Sequence, residues 1–460
     1  MEIQVGNLTS VVKTDNPDIL KGLHNKYGFF VPGYQYATSY RKRRWDGKKR
    51  YFKLSGTFKT GLLKRILKDL DTIGCKDTLI TTDIKGLDAK AKRIKGFTYR
   101  KYQKDAITYC LENLRCLVSS PTGSGKTLIM AGIIHSLQTI DPDLKVIILF
   151  KEKGVLKQTY DFFKGCAVKN VGVNSGEGYT EGNIMLSTVQ SIDRILDTHL
   201  DDATVLMVDE VHQFGSGETT IAAIESFPNA VYRFGFTATV PQEKSESVNA
   251  RMTLEGAFGS VFTTRTMEEL IDDGSLARPI IQIVHHEDFV DEDQTYLEIY
   301  DQAIVNSESR NNKVLSIVNQ VYSTNKSAKV LILVKNIQHI RNLEALIKGV
   351  AVVEGDTSLE DRYRVINKFI EAKGNATIIG TKVMQTGISI DEITHMIDAR
   401  CMKGEIPVIQ GLGRGVRKEK GVAVVYYYDF YDTVKYLNKH SKSRLKHYKN
   451  LNLEINYVKI

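Results

Sequence analysis

Short uninterrupted apolar runs alternate along this chain with stretches in which apolar residues recur every three or four positions. The runs include Cys116-Leu117-Val118, Val146-Ile147-Ile148-Leu149-Phe150, Val205-Leu206-Met207-Val208, Val330-Leu331-Ile332-Leu333-Val334, Ala376–Ile379 and Val422–Tyr428. Runs this short with no polar alternation suit strands covered on both faces, and the periodic stretches Leu128–Ile134 and Ile340–Ile347 suit crossover helices. Alternating strands and helices predict parallel sheets in an α/β protein. Three domains are expected over the 460 residues: a small basic α/β accessory domain at 1–95, an α/β domain at 96–274 and another at 275–460. The punctuation Asp272-Asp273-Gly274-Ser275-Leu276-Ala277-Arg278-Pro279 would hinge the last two, and Lys90–Lys95 would link the first two.

Composition bounds the class. Hydrophobic content of 42% is ample for a core, no stretch approaches the roughly 18 apolar residues of a membrane span, and no leader pattern opens the chain. These features point to a soluble cytoplasmic protein. Five cysteines without a C-x-x-C pair, and no H-E-x-x-H, argue for a reduced compartment and no structural metal. His285 and His286, adjacent on an expected strand, would face opposite sides and serve structure.

Charge is uneven. Residues 1–97 carry 21 Lys+Arg against 9 Asp+Glu, a net +12, whereas the whole chain is +9 and the remainder therefore about −3. The basic excess centres on Tyr34, Tyr36, Tyr40 and Arg41-Lys42-Arg43-Arg44-Trp45-Asp46-Gly47-Lys48-Lys49-Arg50. This pattern reads as a hairpin in which Asp46-Gly47 turns between two cationic arms. Aromatic residues interleaved with bases suit a groove that tracks a nucleic-acid backbone and stacks bases, making Arg41, Arg43, Arg44, Trp45 and Lys48 candidate DNA contacts. A solubilising loop is the plainer reading. The tail from Tyr426 to Lys449 reads as a core strand followed by a solvated helix, in preference to a direct DNA contact.

Two motifs carry chemistry. Ser119-Ser120-Pro121-Thr122-Gly123-Ser124-Gly125-Lys126-Thr127 stands between an apolar run and an amphipathic one, hence on a strand, turn and helix start. Thr122, Gly123, Ser124 and Gly125 would turn backbone N–H groups toward phosphates. Lys126 would reach the β/γ oxygens and the Thr127 hydroxyl would ligate Mg²⁺. The first glycine of the G-x-x-x-x-G-K-[ST] pattern is Ser120 here. Downstream, Val205–Val208 delivers Asp209 to the metal and Glu210 to an attacking water. ATP and Mg²⁺ are the expected cofactors.

Together these motifs resemble those of superfamily 2 DExH-box helicases, over roughly residues 97–432. The resemblance implies two RecA-like motor domains at 96–274 and 275–460. It makes Phe97–Gln103 an adenine-reading segment, with Gln103 on the base edge and an aromatic or Arg100 stacking. Thr237 and Thr239 of Gly235-Phe236-Thr237-Ala238-Thr239 would couple hydrolysis to nucleic-acid binding. Gln410-Gly411-Leu412-Gly413-Arg414-Gly415-Val416-Arg417 fits Q-x-x-G-R-x-x-R, so Gln410, Arg414 and Arg417 would face the γ-phosphate, the arginines sharing a helix face as fingers.

Nucleic-acid motifs match less faithfully. Thr188 and Gln190 could bond backbone phosphates, and Thr381 and Gly387 fall in a segment resembling the motif that contacts both strand and nucleotide. Ser389 stands where that motif has Asp, with Asp391 nearby, and in Lys151–Gln158 only Leu156 and Gln158 match. As plain structure all are strand-to-loop junctions.

Within the superfamily the chain most resembles phage recombination and repair helicases of the UvsW type, which have a similar Trp-Asp-Gly turn. That implies an ATP-dependent helicase acting on branched DNA in a host cytoplasm, as a monomer and alongside other recombination or replication proteins. A duplex translocase that does not separate strands, an RNA or R-loop helicase, and an inert nucleotide-binding clamp are the alternatives.

Overall fold

The computed structural model describes every residue except 167, 200, 215–217, 244–246, 292, 356, 382–391 and 404–423, and the side chains of 197–199, 214, 218–220 and 359. The chain divides into two compact units. One is Met1–Ser120 with Gly125–Arg265, and the other is Pro121–Ser124 with Thr266–Ile460.

The first unit opens with β1 (Glu2–Val5), β2 (Thr9–Lys13), α1 (Pro17–Lys26), β3 (Gly28–Phe30), α2 (Thr38–Arg41), β4 (Lys48–Arg50), β5 (Thr57–Lys59), α3 (Leu63–Thr72) and β6 (Leu79–Thr82). Four of these strands form a sheet in the order β5-β2-β1-β6. The expected hairpin between cationic arms is not formed. Arg41 ends α2, and β4 pairs instead with β3, Phe29 opposite Lys49. The physical reason lies in what each segment can bury. Arg41–Arg44 has no apolar face to pair, whereas Phe29 joins the accessory core, which contains Ile3, Leu23, Tyr51, Phe52 and Ile66.

After β6 the chain runs to Arg100 without helix or strand. The basic stretch expected to be a linker is docked: Ile94 is fully buried, Lys92 N–H donates to Ser136 Oγ at 2.9 Å and Leu87 N–H to the Tyr232 hydroxyl at 2.7 Å.

There follow α4 (Lys101–Asn113), β7 (Arg115–Ser119), α5 (Lys126–Gln138), β8 (Val146–Phe150), α6 (Lys153–Lys164), β9 (Val171–Ser175), β10 (Gly178–Thr180), β11 (Ile184–Thr188), α7 (Asp193–His199), β12 (Val205–Val208), α8 (Glu218–Glu225), β13 (Tyr232–Thr237), α9 (Val248–Phe258) and β14 (Val261–Thr263). Their sheet runs β10-β9-β11-β8-β12-β13-β7-β14, parallel but for β10. Val146–Phe150 and Val205–Val208 are buried throughout, as their unbroken apolar runs require, each large apolar side chain contributing roughly 1.5–3 kcal/mol of burial.

The second unit contains α10 (Met267–Asp272), β15 (Arg278–His286), α11 (Tyr296–Tyr300), α12 (Glu308–Thr324), β16 (Lys329–Leu333), α13 (Ile337–Leu346), β17 (Ala351–Val353), α14 (Leu359–Glu371), β18 (Ala376–Gly380), β19 (His395–Asp398), β20 (Val424–Asp432), α15 (Lys435–Asn450) and β21 (Glu454–Val458). All its described strands are parallel, in the order β17-β18-β16-β19-β20-β15-β21. His286 is buried on one face of β15 and His285 exposed on the other.

The tail helix is not merely solvated. Its lysines face outward, but Leu437, Ser441, Arg444 and Tyr448 are buried. Arg444 Nε lies within hydrogen-bond reach of both Asp429 oxygens, Oδ2 at 2.8 Å and Oδ1 at 3.1 Å, and its other nitrogens donate to the carbonyls of Phe430 at 2.7 Å and Met402 at 3.0 Å, while Tyr448 donates to Asp429 at 2.9 Å. A buried arginine with a carboxylate and carbonyls around it is satisfied, so a helix that looks basic all round still docks.

His395, at the start of β19, stacks on Tyr426 with ring centroids 5.2 Å apart, and its Nδ1 lies 2.9 Å from Thr394 Oγ1. Burial pulls its pKa from 6.5 down to about 4. The unfolded chain therefore binds a proton below pH 6.5 that the folded chain refuses, and the stability due to neutral His395 is full above that pH and lost as pH falls toward 4. The loss is about 3 kcal/mol at 1.36 kcal/mol per pKa unit. Urea unfolding at pH 7.5 and 4.5 should show a smaller pH dependence in His395→Gln than in the parent. Equal dependence in both would remove His395 from the acid response.

Candidate nucleotide site and nucleic-acid surface

In the first unit β12, β13 and β7 lie side by side and parallel, so their carboxyl ends share one sheet edge. From β7 the chain enters the phosphate loop, where Gly123 and Gly125 hold φ of 82° and 85°. An L side chain adopts that left-handed region only with strain. Space also demands glycine at 125, where a Cβ would sit 2.5 Å from Gln103 Nε2. The serine at 120 fits because its side chain is buried and accepts a hydrogen bond from the Thr264 hydroxyl at 2.9 Å, while its N–H donates to the Thr237 carbonyl at 2.9 Å. Ser124 Oγ donates to the Pro121 carbonyl at 2.6 Å. Lys126 and Thr127 open α5, presenting the ammonium and hydroxyl at a helix N-terminus.

β12 ends at Asp209, which is 6% exposed and whose N–H donates to the Leu149 carbonyl at 3.0 Å. Glu210 follows at φ 45°, a conformation a non-glycine residue holds only when its surroundings impose it. That turn aims the Glu210 carboxylate at Lys126, Oε1 lying 3.1 Å from Nζ, and at His212, Oε2 lying 3.3 Å from Nδ1. His212 Nδ1 is also 2.8 Å from Thr237 Oγ1. The Thr237 hydroxyl donates to the Thr239 carbonyl at 2.8 Å, so its proton is committed and His212 must donate from Nδ1. Burial lowers the His212 pKa, Lys126 and Lys151 push the same way and Glu210 opposes, which keeps the ring neutral at pH 7. The result is a contact chain from the phosphate-loop lysine through Glu210 and His212 to Thr237 and Thr239.

The donor set suits Mg²⁺. A hard cation that keeps waters and takes one or two carboxylates plus phosphate oxygens needs no protein cage. The oxygens of Thr127 and Asp209 are of that kind, and no cluster of three or more His, Cys, Asp or Glu able to hold a metal occurs among the described residues.

Gln103 is buried in α4, where Oε1 accepts the Arg100 N–H at 2.9 Å in a capping box. Arg100 is exposed, with Nη1 3.1 Å from the Tyr102 hydroxyl, and the Arg265 guanidinium lies 5.7 Å from the Tyr102 ring centre. Gln410, Arg414, Arg417 and Gly387, with Ser389 and Asp391, lie outside the described residues. Sequence reasoning missed His212 as a connector, although it is the fourth residue of Asp-Glu-Val-His. It also missed Thr264, for which no local signal exists.

Candidate DNA contacts fall in three places. Thr188 is 2% exposed with its hydroxyl donated to Ser191 Oγ at 3.0 Å, whereas Gln190 is exposed. Thr381 follows β18 and is 8% exposed. In the accessory domain Arg41, Arg43, Arg44 and Trp45, with Gln35, Tyr40 and Asp46, line an open surface depression. Trp45 is half-buried and its indole N–H donates to the Lys48 carbonyl at 2.9 Å, while the Lys48 ammonium lies 4.8 Å from the Phe30 ring centre. Asp46 Oδ1 accepts the Lys48 N–H at 3.1 Å, the main cause of its depressed pKa, and Gly47 turns at φ 80°.

Comparison with known proteins agrees with this arrangement. Residues 96–242 match the family model "Type III restriction enzyme, res subunit", and residues 311–419 match "Helicase conserved C-terminal domain". Two solved structures share the fold. A Type ISP restriction-modification enzyme, LlaBIII, bound to DNA superposes with TM-score 0.60 at 14% identity, over 79% of this chain and 31% of that one. Mycobacterium smegmatis helicase Lhr, bound to ssDNA and AMP-PNP, gives 0.54 at 17% identity, over 77% and 48%. The chain belongs to the superfamily 2 helicases, ATP-hydrolysing enzymes with two RecA-like domains. Within them it is related to UvsW: the ATP-dependent DNA helicase uvsW of Enterobacteria phage T4 is 24% identical over 467 residues, covering 95% of this chain and 90% of that protein. No described helix is long and apolar enough to cross a membrane.

Proposed function

We propose that the chain is an ATP- and Mg²⁺-dependent DNA helicase acting on branched DNA, such as forks and Holliday junctions, in phage recombination, repair or replication inside an infected cell. The observation that carries this reading is the contact chain Lys126–Glu210–His212–Thr237, which ties the group that would hold phosphate to the segment that would report on nucleic acid. The relation to uvsW supports the choice of DNA.

In this reading Lys126 and the loop amides of Thr122–Gly125 hold the phosphates. Thr127 and Asp209 would hold Mg²⁺, which when bound would supply positive charge against the transferring phosphate. Glu210 orients and deprotonates the water, the Lys126 ammonium moving from Glu210 to phosphate. Gln103 and Arg100 read and stack on adenine, and Gln410, Arg414 and Arg417 supply the γ-phosphate contacts. Gln190 and Thr381 contact the tracking strand, Thr188 supports that segment through its hydrogen bond to Ser191 in place of the phosphate contact expected of it, Gly387 joins Thr237 and Thr239 in coupling the strand to hydrolysis, and Arg41, Arg43, Arg44, Trp45 and Lys48 grip the branch. The organisation is an accessory domain at 1–95 and motor domains at 96–274 and 275–460.

A second reading, an ATP-driven duplex translocase that does not separate strands, is favoured by the restriction-enzyme family match over 96–242. Strand separation measured on a fork beside a blunt duplex of equal length distinguishes them. ATP-dependent separation of the fork supports the helicase. Hydrolysis stimulated by blunt duplex without separation of either substrate overturns it.

Neutralising Arg41, Lys42, Arg43 and Arg44 together should weaken fork binding and reduce the slope of log affinity against log salt by about 0.7–0.9 for each phosphate that the cluster no longer neutralises. ATPase at saturating single-stranded DNA should persist. Fork titrations from low to high salt check this, and an unchanged slope would reduce the cluster to a solvated face.

A further inference from the structure

The accessory domain is built onto α9, and α9 is wired to the residues that follow Thr239. Val248 and Met252 near its start belong to the accessory core, while Leu254 and Phe258 near its end pack in the core of the following domain. Tyr51 donates to the Asn249 carbonyl at 2.7 Å, and Asn249 Nδ2 donates to the Phe30 carbonyl at 2.7 Å. The backbones meet at Gly61, where a Cβ would stand 2.0 Å from the Glu255 carbonyl oxygen, so no other residue fits there without displacing the helix.

At this seam lie four charges. Arg65 of α3 forks onto Glu255, Nη2 to Oε1 at 2.9 Å with Nε on Oε2, and Nη2 also reaches Glu243. Arg251 bonds the same Glu255, lies 3.8 Å from Glu243 and donates to the Pro241 carbonyl at 3.2 Å. Glu255 is 3% exposed and Glu243 53%. Hydrogen bonds to Arg65 hold the Glu243 carboxyl below its ordinary pKa. Residues 240–243 continue directly from Thr239, which Thr237 and His212 join to Glu210. Beyond the seam, Phe30 stacks on Tyr34 at 4.5 Å and Tyr34 meets Tyr40 edge-on at 4.8 Å, next to Arg41–Arg44. A continuous series of contacts therefore runs from the carboxylate that would activate water to the basic cluster.

We propose that Arg65 is a positioning residue which couples the nucleotide state sensed at Glu210 to the grip of the accessory domain on branched DNA, through Glu243 and Glu255. This inference rests on the proposed function and adds to it where branch affinity is set. Electrostatic contacts of this kind act through a bistable element that both ends bias. The segment 240–243, held by Arg65 and Arg251 at Glu243, Arg251 at Pro241 and Ser247 at Gln242, is that element.

The test is the ratio of fork affinities with and without a non-hydrolysable ATP analogue, measured on the full chain alongside its melting temperature. The parent should show a ratio of about 5–150, the usual range of coupling between sites. Glu243→Gln, an exposed carboxylate whose loss does not threaten folding, and Arg65→Met should bring the ratio toward one. Fork affinity without nucleotide and turnover at saturating single-stranded DNA should stay within about twofold of the parent. Arg65→Lys, keeping the charge but not the fork, should fall between. A parent-like ratio in folded Glu243→Gln overturns the coupling, as does a parent whose fork affinity ignores nucleotide while it still unwinds. A parent that neither binds nor unwinds forks overturns the proposed function itself.

Discussion

A Glu210→Gln variant is expected to bind ATP at least as tightly as the parent and to hydrolyse it about 10²–10⁴-fold more slowly, the usual contribution of a positioned general base. The amide keeps the shape of the carboxylate in its left-handed turn but cannot accept the water's proton. It also frees Lys126, whose ammonium is 3.1 Å from Glu210 Oε1 and must leave that carboxylate to meet phosphate. Removing the competing anion therefore works in favour of nucleotide binding. Lys126→Ala should do the reverse, losing affinity as well as unwinding, because in the proposed function the ammonium is the point charge that would meet the β/γ oxygens. Equilibrium binding of a fluorescent ATP analogue beside steady-state ATPase separates the two effects. Equal turnover in Glu210→Gln and parent would end the water-activation role.

Arg417→Ala should lower the kcat of DNA-stimulated hydrolysis by about 10³–10⁵, the range found for arginine fingers. ATP affinity should change little, since a guanidinium aimed at charge that develops in the transition state contributes mainly there. Arg414→Ala, three residues earlier, should alter affinity as well if it touches the ground-state γ-phosphate. The measurement is kcat and KM for ATP at saturating single-stranded DNA. A variant that loses affinity in step with turnover would place Arg417 among ground-state contacts, and one that hydrolyses normally would make its role structural.

Much of the motor fold was legible because its strands are covered on both faces. Val146–Phe150 and Val205–Val208 contain no polar residue, and their short length and flanking turns favour buried strands over buried helix. The phosphate loop was legible because Gly123 and Gly125 need positive φ, which no neighbouring residue type supplies as cheaply. Elements whose partners are remote in sequence were not. β4 pairs with β3 because of Phe29, twenty residues upstream, and the local Asp-Gly signal pointed to the wrong arm. β21 has mostly exposed side chains and no apolar run to announce it. α15 reads as solvated because the group that draws Arg444 inward, Asp429, sits on another element. In the candidate site, Lys126, Asp209 and Glu210 were nameable from their motifs, and the fold brings Lys126 and Glu210 together. That the Thr188 hydroxyl is spent on Ser191 could be learned only from the fold.

The position of β15 has a consequence for how the protein is made. It is the first strand of the second unit, yet its two neighbours, β20 and β21, are the last. Every described strand of the first unit has been synthesised by residue 263, so that unit can close while synthesis continues. The second cannot. Buried Ile281, Ile283 and Val284 wait with both strand edges open until residues 424–432 and then 454–458 arrive, a long-range closure of the kind that slows folding and invites pairing with other chains. Nascent chains stalled shortly before residue 424, with the first unit clear of the ribosome, should accordingly carry a finished first unit and a sticky, chaperone-dependent second one.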